Sequence, residues 1–134
     1  MLLFFFTLLI SCSSVTEDKL SLLNGYWEIQ EVEFPNGGKK KYKISNNVDY
    51  IELDNLKGFR KKVNPKFDGS FETSDDAEFF SIVVDNGVYI MRYKNDLSSW
   101  EESFVSLSDE NFSIKNAEGT IYTYKRFEPL NSSE

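Results

Sequence analysis

The tripeptide Asp85-Asn86-Gly87 stands between two apolar runs, Phe79-Phe80-Ser81-Ile82-Val83-Val84 and Val88-Tyr89-Ile90-Met91-Arg92-Tyr93. Asn-Gly accepts positive φ at both centres of a two-residue turn, and that turn matches the natural twist of two antiparallel strands. The middle of the chain is therefore committed to a hairpin, and the rest carries similar punctuation. Pro35-Asn36-Gly37-Gly38, Asn64-Pro65, Asp68-Gly69, Asp109-Glu110-Asn111 and Asn116-Ala117-Glu118-Gly119 all fall between short alternating segments. The pattern predicts strands over 25–34, 40–44, 48–54, 58–63, 70–74, 78–84, 88–94, 99–107, 111–115 and 120–127. Short links force neighbours to pair antiparallel. No stretch sustains a 3.6-residue period long enough for a crossover helix. The exception is a single helical turn over 18–23, where Leu20, Leu22 and Leu23 cluster. A chain of hairpins must hide its two edges, and closure does so. The expected fold is all-β: an antiparallel up-and-down meander of eight to ten strands closed into a small barrel. With 12 Phe, 7 Tyr and 2 Trp in 134 residues, the composition suits strands, and the length suits one domain.

The N-terminus has a different character. Residues 2–10 are almost wholly apolar, too few to span a bilayer but enough for the core of an export signal. They run into Ser11-Cys12-Ser13-Ser14, and Cys12 is the one cysteine of the chain. Leu9-Ile10-Ser11-Cys12 resembles the bacterial lipobox. That resemblance implies removal of a signal peptide over 1–11, diacylglycerol (palmitate-type) lipid on Cys12, and a polar tether over 12–19. It implies a lipoprotein of the bacterial cell envelope, with the outer membrane favoured over the inner, and more than one acyl chain would make the anchor stable. The segment lacks the usual basic opening residue, so a translation start upstream of Met1 is expected. Residues 20–129 then form the barrel, and 130–134 a disordered tail.

The first predicted strand opens Asn24-Gly25-Tyr26-Trp27, and the last carries Tyr124-Lys125-Arg126-Phe127. Gly-x-Trp on strand one with an Arg on the final strand resembles the lipocalins and related calycin-type barrels. The resemblance implies that Arg126 lies across Trp27 and closes one end of the barrel. The body is shorter than a full lipocalin and has no room for the family's C-terminal helix, so the likeness is to a compact lipocalin-like domain.

Strand alternation puts Phe80 and Ile82 on one face, as it does Tyr89, Met91 and Tyr93, and Trp100 with Phe104. These seven side chains are candidates to line a pocket for a small hydrophobic ligand; the same aromatics can equally plug the barrel solid. The alternative function is therefore a filled barrel acting as an envelope structural or protein-interaction module. The formal charge of −7 disfavours nucleic acid as a partner. Lys39-Lys40-Lys41 and Arg60-Lys61-Lys62 read as solvated turn and strand-edge charge, with an anionic surface such as lipid headgroups as the sharper reading. The absence of His removes the commonest general base and metal ligand. Asp75-Asp76, Glu101-Glu102 and Asp109-Glu110 are adjacent pairs, so their members point to opposite faces and make no acid–base dyad. Each is read as solvated charge. The chain is expected to be no enzyme, to need no metal or cofactor, and to be a monomer.

Overall fold

The computed structural model describes residues 15–43 and 47–128, with residues 74 and 75 described by their backbone alone. The apolar N-terminal run, Cys12 and the expected tail over 130–134 lie outside the described residues. Nine strands follow a short 3-10 helix, Glu17–Leu23: β1 (Gly25–Glu33), β2 (Lys39–Lys41), β3 (Val48–Asp54), β4 (Lys57–Pro65), β5 (Phe71–Asp85), β6 (Val88–Lys94), β7 (Ser99–Leu107), β8 (Asn111–Asn116) and β9 (Ile121–Arg126). Each strand from β3 to β8 pairs antiparallel with the next, and β1 pairs with both β3 and β9. The result is a closed barrel of eight strands. β2 lies outside the ring, on the far end of β1, where Lys39 and Lys41 face Glu33 and Glu31. Lys39, Lys40 and Lys41 are all exposed there.

Two expectations need correction. The segments 70–74 and 78–84 are one strand, β5, because the polar Ser74-Asp75-Asp76 stretch forms a bulge instead of a turn. β4 advances only from Lys61 to Val63 while β5 advances from Ala77 to Thr73, so β5 carries the excess residues and the pairing resumes. The second expected strand, 40–44, is the three-residue β2. A smaller bulge sits in β1, where Gln30 is the extra residue between Ile29, opposite Tyr124, and Glu31, opposite Thr123.

The hairpin at Asn86-Gly87 has φ of 50° and 78°, the two positive values that a type I′ turn requires. Asn55 and Leu56 make a second such turn with φ of 49° and 68°, although a leucine in the left-handed region is uncommon and its residue types do not advertise it.

The core fills one end of the ring. Leu20 and Leu23, three apart on a 3-10 helix, fall on one face and are both buried against Trp27. Trp27, Ile51, Met91, Phe112 and Ile114 have no exposed surface. Full burial of each such side chain stabilises by about 1.5–3 kcal/mol. The Trp27 ring meets Phe112 edge-on at 4.7 Å, and Phe112 stacks on Tyr124 at 4.7 Å. The indole N–H donates to the Leu23 carbonyl at 2.8 Å, which ties the helix to the barrel floor.

Arg126 completes this closed end. It lies opposite Trp27 in register, with its guanidinium carbon 3.8 Å from the ring centroid. Its three nitrogens donate to the carbonyls of Leu22, Asn24 and Asp109 at 2.7, 2.7 and 2.9 Å. One side chain thereby joins the helix end, the start of β1, the β7–β8 turn and β9. Gly25 makes the room: its φ is 125°, and a Cβ there would sit 2.7 Å from Arg126 Nη1. Gly25→Ala should therefore destabilise the fold by about 2–3 kcal/mol, combining backbone strain with displacement of the guanidinium. Part of that loss should vanish in an Arg126→Ala background. Denaturant unfolding of the four variants of this cycle measures it, and strict additivity would exclude the steric link.

Candidate functional site

The turns 54–57, 85–88 and 107–111 gather at the closed end, so the opposite end of the ring is its mouth. Residues that face each other across an antiparallel pair share a side of the sheet. Ile51 faces the core and lies opposite Arg60, while its in-phase neighbour Asp49 lies opposite Lys62. Arg60 in turn lies opposite Glu78. These charges therefore project into the barrel above the apolar floor.

Arg60 is the centre of a polar layer. Its Nη2 donates to Asp49 Oδ2 at 2.6 Å and to the Tyr124 hydroxyl at 2.7 Å. Its Nη1 donates to the Tyr93 hydroxyl at 3.4 Å and lies 3.8 Å from Glu102 Oε1. The guanidinium carbon sits 5.0 Å from the Tyr124 ring centroid. Lys62 Nζ reaches the other Asp49 oxygen at 2.9 Å, but 70% of its side chain is exposed, against 4% for Asp49. Asp49 is thus a buried carboxylate held by two cations, one from below and one from the solvent side.

The protonation states follow. Burial pushes the Asp49 carboxyl up, but Arg60 and Lys62 outweigh it and hold it below the usual carboxylate range. Glu102 goes the other way. Its burial is the largest effect and lifts it above the usual range, with Arg60 and the Tyr93 hydroxyl only partly offsetting. Burial raises Tyr93 and Tyr124 as well, so both hydroxyls stay protonated as neighbours of the guanidinium.

Over this layer lies a cavity of about 430 Å³ lined by Asp49, Arg60, Lys61, Lys62, Asp76, Glu78, Trp100 and Glu102. A second lobe of about 270 Å³ shares Asp49 and Lys62 with it and is walled by Ile29, Val32, Tyr42, Asn47, Tyr122 and Tyr124. The Asp49–Lys62 pair is the partition. Trp100 stacks on Tyr93 with centroids 5.1 Å apart and planes 6° from parallel, so its indole is a braced wall.

The seven residues read from the sequence as pocket candidates are placed differently from one another. Phe80, Ile82, Met91, Tyr93 and Phe104 are buried in the packed core, and Tyr89 packs against it half-buried. Trp100 lines the mouth cavity. Trp27 and Arg126 meet at the closed end, as described. Arg60-Lys61-Lys62 is only in part the solvated run expected: Lys62 is exposed and reaches Asp49 from the solvent side, but Arg60 is buried. Glu101 and Glu102 do point opposite ways, with Glu101 outside on Arg92 at 2.6 Å, but Glu102 is inside rather than solvated. Asp49, Arg60, Glu102 and Tyr124 were not among the sequence candidates. The available signal was phase: Asp49 shares the face of Ile51 and Leu53, and Glu102 that of Phe104.

With eight strands closed by Trp27 and Arg126, the barrel is lipocalin-like. Among solved structures, a lipocalin-like protein from Bacteroides uniformis is similar to this chain, with a TM-score of 0.49, 13% identity, and 79% of this chain and 99% of that one covered. No protein-family model matches the chain, and no curated protein does.

The outer wall bears its own aromatic line. Phe79, Phe59, Tyr50, Tyr26, Phe71 and Phe127 follow one another with centroids 4.3–6.3 Å apart, and Phe79 is 65% exposed.

Two outcomes test the polar layer. Arg60→Met leaves Asp49 with only the solvent-side lysine and should cost about 3 kcal/mol, whereas Arg60→Met with Asp49→Leu should recover most of it. Urea unfolding of both decides, and a double variant no better than the single one would show that the pair is not what holds the layer. The second concerns pH. A carboxyl raised by burial contributes stability below its ordinary pKa of about 4.3 that is lost as pH rises through the folded value. The Tm advantage of Glu102→Gln over the native chain should accordingly grow from pH 4 to pH 8, and a flat difference would contradict a raised Glu102.

Proposed function

We propose that this protein binds a small ligand in the mouth of its barrel, above the Arg60 layer, and not in the barrel's depth. The observation that carries the reading is the division of the interior. The lower half is packed with Trp27, Phe80, Met91, Phe104, Phe112 and Ile114, while the upper part holds a cavity of about 430 Å³ with convergent polar groups. That volume is within the usual range for small-molecule sites. The ligand addresses the polar layer, so it is not the wholly hydrophobic molecule that a lined barrel interior would take. Nothing in the constellation couples a nucleophile to a base, and binding rather than catalysis is the reading it supports.

The same proposal includes a bacterial envelope location through lipid on Cys12, supported by the apolar run over 2–10 and Leu9-Ile10-Ser11-Cys12. A second reading, contact with another envelope protein, is favoured by the aromatic line from Phe79 to Phe127 on the outer wall.

Native mass spectrometry of the chain purified from its own host separates the two. The expected result is an adduct of defined mass that is lost on denaturation and reduced in Glu78→Gln. A bare polypeptide mass, persisting after incubation with host extract, would overturn the mouth-binding reading and leave the outer wall as the working surface.

A further inference from the structure

The chemistry of the larger lobe narrows the ligand. Seven of its eight lining residues are ionisable and the eighth is Trp100. An apolar ligand would strip water from those groups and return no hydrogen bonds, at a cost of about 1–3 kcal/mol for each group left unpaired. A strongly charged ligand fares little better. The lining carries Asp49, Asp76, Glu78 and Glu102 against Arg60 and Lys62, while the Lys61 ammonium turns out over the Phe59 ring, so either sign of ligand meets like charge nearby. Asp49 is already committed to Arg60 and Lys62.

A hydroxyl group suits such a lining, because it donates one hydrogen bond and accepts others, and can satisfy a carboxylate and a cation together. Hydrogen bonds to ionised partners are the stronger kind, so a ligand with several hydroxyls gains from each neighbour without bringing charge of its own. The single aromatic wall adds a flat surface. Trp100 is held parallel to Tyr93, and a braced indole offers its π-system to the C–H face of a saturated ring at little entropic cost.

We infer that the mouth cavity takes a neutral saccharide, with the ring's apolar face against Trp100 and its hydroxyls shared among Arg60, Glu78 and Glu102. The inference rests on the mouth-binding reading and specifies its ligand class. The partition at Asp49–Lys62 then separates the saccharide lobe from the lobe of Ile29, Val32 and Tyr122, which suits an apolar substituent on the same molecule.

Ligand-observed saturation-transfer NMR on the full chain in lipid nanodiscs tests it, with glucose, N-acetylglucosamine and maltotriose as probes beside putrescine and hexanoate. At least one saccharide should give saturable transfer, strongest at the protons of one ring face. Trp100→Ala and the surface-accessible Glu78→Gln should each weaken apparent affinity tenfold or more, and Phe79→Ser on the outer wall should not change it. Binding of putrescine or hexanoate without any saccharide would overturn the saccharide assignment while leaving the mouth as a binding site. Saccharide binding that survives both Trp100→Ala and Glu78→Gln would place the sugar elsewhere and also overturn it. If no probe binds, the saccharide assignment falls, and the native-mass result decides separately whether the mouth binds anything.

Discussion

Pairing of β1 with β9 is the condition on which everything else in this chain rests. An open eight-stranded sheet would expose two edges and leave Trp27 and Phe112 half-solvated. Closure buries both, and the closing seam is the place where Arg126 crosses Trp27. The guanidinium does more than a cation–π contact of about 0.5–2 kcal/mol would suggest, because it also satisfies three carbonyls that end a helix, start a strand and form a turn. Those carbonyls belong to segments far apart in sequence. A lysine could reach one of them but could not fork to all three while lying flat on the indole.

Closing one end with aromatics decides what the other end can be. Inward-facing apolar residues from Leu20 to Phe112 fill the floor, while others, Phe79 among them, lie on the outer wall. The mouth is built from polar residues that tolerate partial burial. Asp49, Arg60, Tyr93 and Tyr124 do so by satisfying one another, and no described buried side-chain polar atom lacks a partner. This arrangement gives a rigid platform in place of a greasy tunnel. A buried ion pair adds little net stability over an apolar pair of equal volume, so the layer fixes which side chains meet above the floor more than it strengthens the fold.

Most strands and turns were legible because their signals are local. Asn86-Gly87 specifies its hairpin with two residues, and Leu20 and Leu23 mark the helix face with a three-residue spacing. The β5 bulge was not legible, since Ser74-Asp75-Asp76 has the composition of a turn, and only the partner strand β4 decides whether the chain reverses or merely bulges. The Asn55-Leu56 turn was legible as the gap between 48–54 and 58–63, but its left-handed conformation was not, because the pairing of β3 with β4 imposes it against the preference of leucine. The site escaped for a third reason. Arg60-Lys61-Lys62 reads as a surface run when taken as three neighbours, but alternation sends the outer two inward and the middle one outward. Only the position of Asp49 on β3 tells that the inward pair is neutralised.

The orientation of the barrel ties these points together. The 3-10 helix packs on the closed end through Leu20 and Leu23, and Arg126 clamps its last turn there. The described chain, at Val15 and Thr16, thus enters the barrel on the side away from the mouth. A hydrophobic cargo would call for an apolar entrance and an empty floor. This chain has a filled floor and a charged entrance, which accords with the polar ligand proposed for the mouth.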